Sequence, residues 1–161
     1  LKPMQYFRIM NGIKCRKGNI MIEISRVKSE EEMKIVCEIR MEVFVREQGV
    51  PVELEMDELD KESIHVLAYV DGVAAGCGRV HLEGEEAKIG RIAVRKANRR
   101  DGIGTGICKL LMSIAADNGV SKVYLGAQLS AIDFYAAMGF EKVGEVFLDA
   151  GIKHIKMFKM I

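Results

Sequence analysis

Hydrophobic and polar positions recur along the chain with two periods, which predict strands in some segments and helices in others. Alternating or continuous apolar runs rich in β-branched residues predict strands. The predicted strands are residues 22–27, 65–70, 73–82, 87–94, 123–127, 140–147 and 154–159. Apolar residues three and four positions apart predict helices. The predicted helices run from residue 30 to about 45, from 103 to the glycine at 119, and briefly over 131–138.

Capping and turn residues support these boundaries. Ser29 and Glu32 form a capping box, in which two side chains satisfy backbone donors at the start of the first helix. The Asp71-Gly72 pair between two apolar runs is a strong hairpin signal. Residues 52–63 (VELEMDELDKES) are acidic and have neither a helix cap nor strand alternation, so a surface loop or short helix is predicted there.

The order of the elements is β, α, β-hairpin, β, α, β, α, β, β. It predicts one α/β (α+β) domain with a mixed, mostly antiparallel, twisted sheet of about six to seven strands and helices on both faces. The pattern does not contain the repeated βαβ units of a doubly wound nucleotide-binding fold. Residues 1–20 contain five Lys or Arg, no acid and no clear period, so they are expected to be a peripheral N-terminal extension of a domain at 21–161.

Composition and charge exclude several classes of protein. The 161 residues are 49% hydrophobic and 29% charged, as in a globular domain. Because 24 Lys and Arg against 23 Asp and Glu leave a net charge of +1, nucleic acid is not expected to be the main partner. No apolar run approaches the roughly 20 residues of a membrane span. The four cysteines are scattered, so we expect a reduced, cytoplasmic protein without a zinc site or disulfide framework.

Residues 99–106 (RRDGIGTG) join an apolar strand to an amphipathic helix and have the properties of an anion site. The first N–H groups of a helix have no internal partner, and the helix dipole adds partial positive charge there. Gly102 and Gly104 lack Cβ, so a phosphate can approach the backbone closely. Arg95 and Lys96 add further cations to the same turn.

Two common phosphate-binding patterns do not fit this turn. A dinucleotide fingerprint needs G-x-G-x-x-G in a βαβ unit with an acid about 20 residues further on, but the last glycine is misplaced and the topology differs. A P-loop needs Gly-Lys-Ser/Thr, which is absent. The glycines alone therefore indicate only a phosphate-bearing ligand, and a purely steric role in a tight turn stays open.

Two motifs in the correct order resemble those of a known family. Residues 99–104 match the R-x-x-G-x-G/A signature of the GNAT superfamily of N-acetyltransferases, between a strand that reads GRIAV and a helix that reads GIGTGICKLLM. Residues 131–145 (AIDFYAAMGFEKVGE) resemble its second signature, F-Y-x-x-x-G-F followed by an x-V-G-E strand. The resemblance covers residues 21–161 and implies a GNAT-like acetyltransferase domain with acetyl-CoA as cosubstrate and no metal.

The resemblance implies a CoA-binding role for two neighbouring segments. In GNAT proteins the strand before the turn splays away from its neighbour, and its free backbone groups pair with the pantetheine amides of CoA. These residues are Ile92, Ala93 and Val94. The pyrophosphate is expected on the turn and on the first N–H groups of the helix. The residues of that site are Arg99, Arg100, Gly102, Ile103, Gly104 and Thr105.

Tyr135 corresponds to the family tyrosine that acts as general acid toward the departing CoA thiolate. A positioned hydroxyl stabilises the sulfur anion as it develops, whereas packing under the sheet is the structural alternative. The attacking amine must be neutral, so a base or a water chain is expected. Many family members place an acid just before the splayed segment. This chain has Arg91 there, which leaves Glu47, His65 and His81 as candidates for the base.

The first helix and the following loop resemble the ElaA-like branch of the GNAT family, through R-x-x-V-F-V-x-E-Q-x-V-P followed by E-x-D-x-x-D and a histidine. In these proteins this segment forms one wall of the acceptor site. Its polar residues are Glu47, Gln48, Glu55, Asp57 and Asp60. They are expected either to face the acceptor, which favours a cationic amine, or to form a solvated loop. Acyl-homoserine-lactone synthases share the helix pattern but not the glycine signature as cleanly.

The leading hypothesis is transfer of acetyl from acetyl-CoA to a primary amine of a small molecule or peptide, by direct attack in a ternary complex. No cysteine is placed at either motif as an obvious acyl carrier. A non-catalytic acyl-CoA-binding or sensing module is one alternative, and an acyltransferase for longer chains is another. The acceptor is not identified, and a homodimer is among the expected assemblies because dimers are common among similar proteins.

Overall fold

The computed structural model describes residues 4–161, so residues 1–3 of the expected N-terminal extension lie outside the described part. The strands are β1 (Tyr6–Ile9), β2 (Gly12–Lys17), β3 (Ile20–Arg26), β4 (Ile64–Val70), β5 (Val73–Glu83), β6 (Glu86–Val94), β7 (Lys122–Gln128), β8 (Glu141–Asp149) and β9 (Ile152–Met160). The α-helices are α1 (Glu30–Arg40), α2 (Val52–Glu55), α3 (Leu59–Glu62), α4 (Ile103–Asp117) and α5 (Ile132–Ala137).

The strands form one sheet with the spatial order β1-β2-β3-β4-β5-β6-β7-β9-β8. Neighbouring strands are antiparallel except β6 and β7, which run parallel. Helix α4 makes the crossover that a parallel pair requires. The predicted mixed, mostly antiparallel sheet is confirmed, but over residues 4–161 it contains nine strands rather than six or seven.

The two additional strands form a hairpin at one edge of the sheet. β1 pairs with β2, and β2 pairs with β3 over its whole length. Ile13 and Cys15 belong to the core and are 8% and 1% exposed. Lys14 and Arg16 alternate with them, and the high cationic content concealed this alternation in the sequence. The domain boundary at residue 21 stays a prediction.

Helices cover both faces of the sheet, as predicted. Helix α4 packs through Ile107 on one face, in the same cluster as Val66 of β4. Helix α1 packs through Ile39 on the opposite face, against the next residue of β4, Leu67. Successive residues of a strand point to opposite faces, so β4 is buried on both sides. Among the described residues, no helix combines the length and apolar character needed to cross a membrane.

The helix predicted from residue 30 to about 45 is divided in the structure, because its α-helical part ends at Arg40. After α1 the chain continues as a π-helix over Met41–Glu47. The chain then turns at Gly49, which has a φ of +73°. π-helical turns are rare and are often found at functional sites. The acidic segment that follows contains the short helices α2 and α3, which agrees with the expectation of a loop or short helix.

Candidate active site

Strands β6 and β7 pair along only part of their length. Their three residue pairs join residues 86–88 to residues 122–124, and beyond Lys88 and Tyr124 the two strands are not paired. A bulge in β6, with Arg91 at φ of +53°, interrupts the pairing with β5 near this point. The remaining part of β6 still pairs with β5, so one edge of Ile92, Ala93 and Val94 faces the gap.

The gap opens into a cleft of about 410 Å³. Four parts of the chain line it: the end of the π-helix with α2, the separated part of β6, strand β7 with α5, and the β8–β9 hairpin. At one point the side-chain amide of Gln128 donates to that of Gln48 at 2.7 Å, which links the end of β7 to the π-helix. The cleft therefore connects the unpaired edge of β6 to the loops around it.

The glycine-rich turn lies between β6 and α4. Gly102 is the N-cap of α4, with φ of +82° and no side-chain cap, so the helix begins with uncapped N–H groups. Ile103, Gly104 and Thr105 supply these groups. A Cβ on Gly104 would lie 3.3 Å from Cζ of Phe134, which explains the glycine by close packing. The turn has the backbone geometry of an anion site.

The two arginines of the turn differ in their contacts. Arg99 donates from Nε to the carbonyl of Val94 at 2.9 Å, and its guanidinium pairs with Glu47 at 2.7 Å. Arg100 is exposed and has φ of +66°. Arg99 therefore joins the turn to the π-helix, and it occupies one of the backbone groups expected to meet pantetheine.

Tyr135 lines the cleft from α5. Its ring makes edge contacts with Phe134 and Phe140, at centroid distances of 4.9 and 5.8 Å. Burial raises the pKa of the Tyr135 hydroxyl well above its ordinary value. The hydroxyl therefore stays protonated at neutral pH and can donate a hydrogen bond into the cleft.

The three histidine and glutamate candidates for the base do not line the cleft. The hydrogen bond from Arg99 lowers the pKa of the exposed Glu47 carboxyl. His65 is buried, and its Nε2 donates to the carbonyl of Asp60 at 2.9 Å. Burial lowers the pKa of His65. His81 is half-buried on β5.

Three acids of residues 52–63 form a network with the buried Arg40 and Arg79 and the half-buried Arg91. Arg40, which is 0% exposed, contacts Glu55 at 2.7 Å and Asp60 at 2.7 Å. Arg79 contacts Asp57 at 2.5 Å and Asp60 at 2.6 Å. Arg91 contacts Glu55 at 3.2 Å and Asp57 at 3.1 Å.

This network corrects the interpretation of these acids as a solvated loop, whereas their role toward an acceptor stays a prediction. Glu55, Asp57 and Asp60 are each paired with an arginine, and Glu55 together with Gln48 lines the cleft. The hydrogen bond from Arg79 holds the pKa of Asp57 below its usual range. Burial acts to raise the pKa of Asp60, but Arg40 and Arg79 hold it below its usual value. The segment is thus a fixed wall of the cleft.

The β8–β9 hairpin contributes cleft residues that sequence reasoning missed. They include Phe147, Asp149, His154 and Lys156. The His154 ring stacks on Phe147 at 5.8 Å between centroids, and its Nδ1 donates to the carbonyl of Ile152 at 2.8 Å. This bond leaves Nε2 of the neutral ring free to accept a proton. The strand pattern gave no signal for this role, because only the fold brings β9 to the cleft.

Within residues 4–161, no group of three or more His, Cys, Asp or Glu side chains is placed to hold a metal ion. The separated strands, the uncapped turn and the tyrosine-lined cleft together fit a CoA thioester. The free edge of β6 can pair with amides, and the turn can bind a pyrophosphate. This arrangement is that of a CoA-dependent acyltransferase.

Comparisons with known proteins agree with this assignment to the CoA-dependent acyltransferases. A sequence model of the acetyltransferase (GNAT) domain matches residues 24–161. The uncharacterized N-acetyltransferase YjcF of Bacillus subtilis is 44% identical over 133 residues, which cover 82% of this chain and 95% of YjcF. The crystal structure of Escherichia coli ElaA superposes with a TM-score of 0.73 at 28% identity, covering 86% of this chain and 99% of ElaA.

A GNAT family acetyltransferase from Elizabethkingia anophelis with acetyl-CoA bound has the same fold, with a TM-score of 0.69 at 17% identity and coverage of 90% and 100% of the two chains. The chain belongs to the GNAT acetyltransferase family. It is an N-acetyltransferase that uses acetyl-CoA, and its resemblance to the ElaA-like branch is confirmed.

Proposed function

We propose that this enzyme transfers acetyl from acetyl-CoA to a primary amine of a small molecule or peptide, by direct attack in a ternary complex. The observation that carries this proposal is that Tyr135 and the free edge of β6, as far as Ile92, line the same cleft. Such a cleft lets a thioester and an amine meet without an intermediate carrier. When bound, acetyl-CoA supplies the electrophilic carbonyl.

Tyr135 is proposed as the general acid. Attack of the amine expels a thiolate, and a protonated hydroxyl at the cleft stabilises that charge as it develops. The raised pKa of Tyr135 supports this role, since a hydroxyl that stays protonated remains a hydrogen-bond donor. The pyrophosphate is assigned to Arg100, Gly102, Ile103, Gly104 and Thr105, and the pantetheine to Ile92, Ala93 and Val94.

His154 is proposed as the base, in place of Glu47 and His65. A lysine-like amine has a pKa of about 10.4, so it must lose a proton before it attacks. Imidazole is the most common general base in enzymes. The free Nε2 of the cleft-lining His154 can take that proton, either directly or through a water. Glu47 and His65 are engaged elsewhere and lie outside the lining.

Direct transfer is also supported by the cysteines. Burial raises the pKa of Cys77 to about 12 and that of Cys108 to about 12, so both stay protonated at neutral pH. The thiolate is the nucleophilic form of cysteine. None of the four cysteines lines the cleft. A covalent acyl-cysteine step therefore has no suitable residue in the cleft.

A thiol-release assay with acetyl-CoA against a broad library of primary amines tests the proposal. Turnover with one class of amine supports it and identifies the acceptor. Tight CoA binding without turnover on any amine or peptide would contradict it and favour the non-catalytic module. A series of thioesters of increasing length separates acetyl transfer from transfer of longer chains.

A further inference from the structure

The N-terminal hairpin contacts the glycine-rich turn, although it precedes the region matched by the GNAT domain. That match begins at residue 24, whereas β1 and β2 cover residues 6–17. Tyr6 donates from its hydroxyl to the carbonyl of Gly102 at 2.7 Å. Lys17 donates from Nζ to the carbonyl of Arg100 at 3.1 Å and to the carboxylate of Asp101 at 2.8 Å.

These contacts fall on Arg100, Asp101 and Gly102, two of which have a left-handed backbone conformation. Arg100 and Gly102 have φ of +66° and +82°, and the left-handed region is costly for a residue with a Cβ such as Arg100. Such a conformation persists only where the surroundings hold it. Hydrogen bonds from Tyr6 and Lys17 to the carbonyls supply that hold and leave the N–H groups of the turn unused.

The hairpin is itself firmly seated on α4. A Cβ on Gly106 would lie 2.8 Å from Cε1 of Tyr6, so this glycine allows the ring to pack against the helix. The ammonium of Lys109 lies 4.7 Å from the centre of the same ring. Burial raises the pKa of Tyr6 to about 12, which keeps its hydroxyl a donor. Tyr6 is thus fixed in place to act on the turn.

Lys17 also compensates a charge. The carboxylate of Asp101 lies in the turn where a pyrophosphate is proposed to bind, and like charges repel. The ion pair with Lys17 offsets that repulsion.

We propose that the N-terminal hairpin completes the CoA site, with Tyr6 and Lys17 as positioning residues that hold the pyrophosphate-binding turn. This inference rests on the proposed assignment of pyrophosphate to that turn. The hairpin acts on the nucleotide half of the donor, because it contacts the turn and does not line the cleft.

The test compares two acyl donors. Acetyl-CoA carries the pyrophosphate, whereas S-acetylpantetheine lacks it. In Tyr6→Phe and Lys17→Met we expect KM for acetyl-CoA to rise about threefold to tenfold, the effect of one net hydrogen bond. KM for S-acetylpantetheine and kcat should not change. A merely structural role would alter both donors alike.

Two further variants sharpen the result. Arg8→Met is the matched control, because Arg8 lies on the same hairpin but pairs with Asp117 at the other end of α4, and both KM values should stay at wild-type levels. Adding Asp101→Asn to Lys17→Met should recover part of the lost affinity. Equal KM values for wild type, Tyr6→Phe and Lys17→Met with acetyl-CoA would overturn the inference.

Calorimetric binding of CoA to the wild-type protein separates the two proposals. If the wild type binds CoA and the hairpin variants bind it equally well, only the role of the hairpin fails. If the wild type uses acetyl-CoA and S-acetylpantetheine with the same KM, the assignment of pyrophosphate to the turn fails.

Discussion

The two sides of the cleft are built in different ways. On the proposed CoA side, backbone groups of β6 and of the turn before α4 face the ligand, and glycines leave them accessible. On the proposed acceptor side, the wall is fixed by side chains from distant segments, above all Arg40 with Glu55 and Asp60. A backbone site is encoded in a short motif, whereas a side-chain wall depends on the complete fold. Substitutions on the two sides should therefore have different consequences.

The largest expected effect is a loss of stability when the wall on the proposed acceptor side is changed. Arg40→Met should lower the free energy of unfolding by about 3–5 kcal/mol, because Glu55 and Asp60 lose the buried cation that pairs with them. Urea denaturation measures this loss. Lys14→Met, which removes an exposed ion pair with Glu23, should change stability by less than about 1 kcal/mol. Equal losses in the two variants would contradict a buried network that fixes the wall.

The next largest expected effect is a lower rate of acetyl transfer when the proposed base is removed. His154→Gln should lower kcat at neutral pH by about 100-fold, since glutamine cannot take a proton from the amine. The residual rate should rise with pH, because more of the amine is then neutral in solution. Lys153→Gln, an exposed neighbour on β9, is the control and should keep the wild-type pH profile. Wild-type kcat in His154→Gln would exclude this residue as the base.

The smallest expected effect is a weaker affinity for CoA when the glycine-rich turn is changed. Gly104→Ala should raise the Kd of CoA about tenfold, or roughly 1.4 kcal/mol, because the new Cβ meets Phe134 and crowds the first turn of α4. The free energy of unfolding should change by less than about 1 kcal/mol. Ala116→Gly on the same helix should lower the free energy of unfolding by up to about 1 kcal/mol but leave CoA binding intact. A large loss of stability in Gly104→Ala without a change in the Kd of CoA would show that this glycine serves the fold, and would contradict its role in CoA binding.

The same difference explains what could be predicted from the sequence. The glycines of the turn and the segment around Tyr135 are short, contiguous motifs, so the proposed CoA side could be predicted from the sequence together with its strand and helix. The arginine network joins residues 40, 55, 57, 60, 79 and 91, which only the fold brings together. The local pattern therefore left open whether Glu55 and Asp60 face the acceptor or form a solvated loop, because it contains no information about their distant partners.

The β1–β2 hairpin and His154 were missed for related reasons. The cations of β2 concealed a short alternation that becomes meaningful only when it pairs with β3. His154 lies in a correctly predicted strand, but its place in the cleft depends on β9 pairing with β7. The strand count and the candidates for the base were the parts of the prediction that needed long-range pairing.

The most direct test of the proposed mechanism is to measure kcat and the affinity for CoA in Tyr135→Phe. We expect kcat to fall by about 100-fold, because the leaving thiolate loses its proton donor, while the Kd of CoA is unchanged. Steady-state thiol release with an amine that the enzyme acetylates gives kcat, and calorimetric binding of CoA gives the Kd. An unchanged kcat with unchanged CoA binding would show that Tyr135 only packs against Phe134 and Phe140, and would contradict the account.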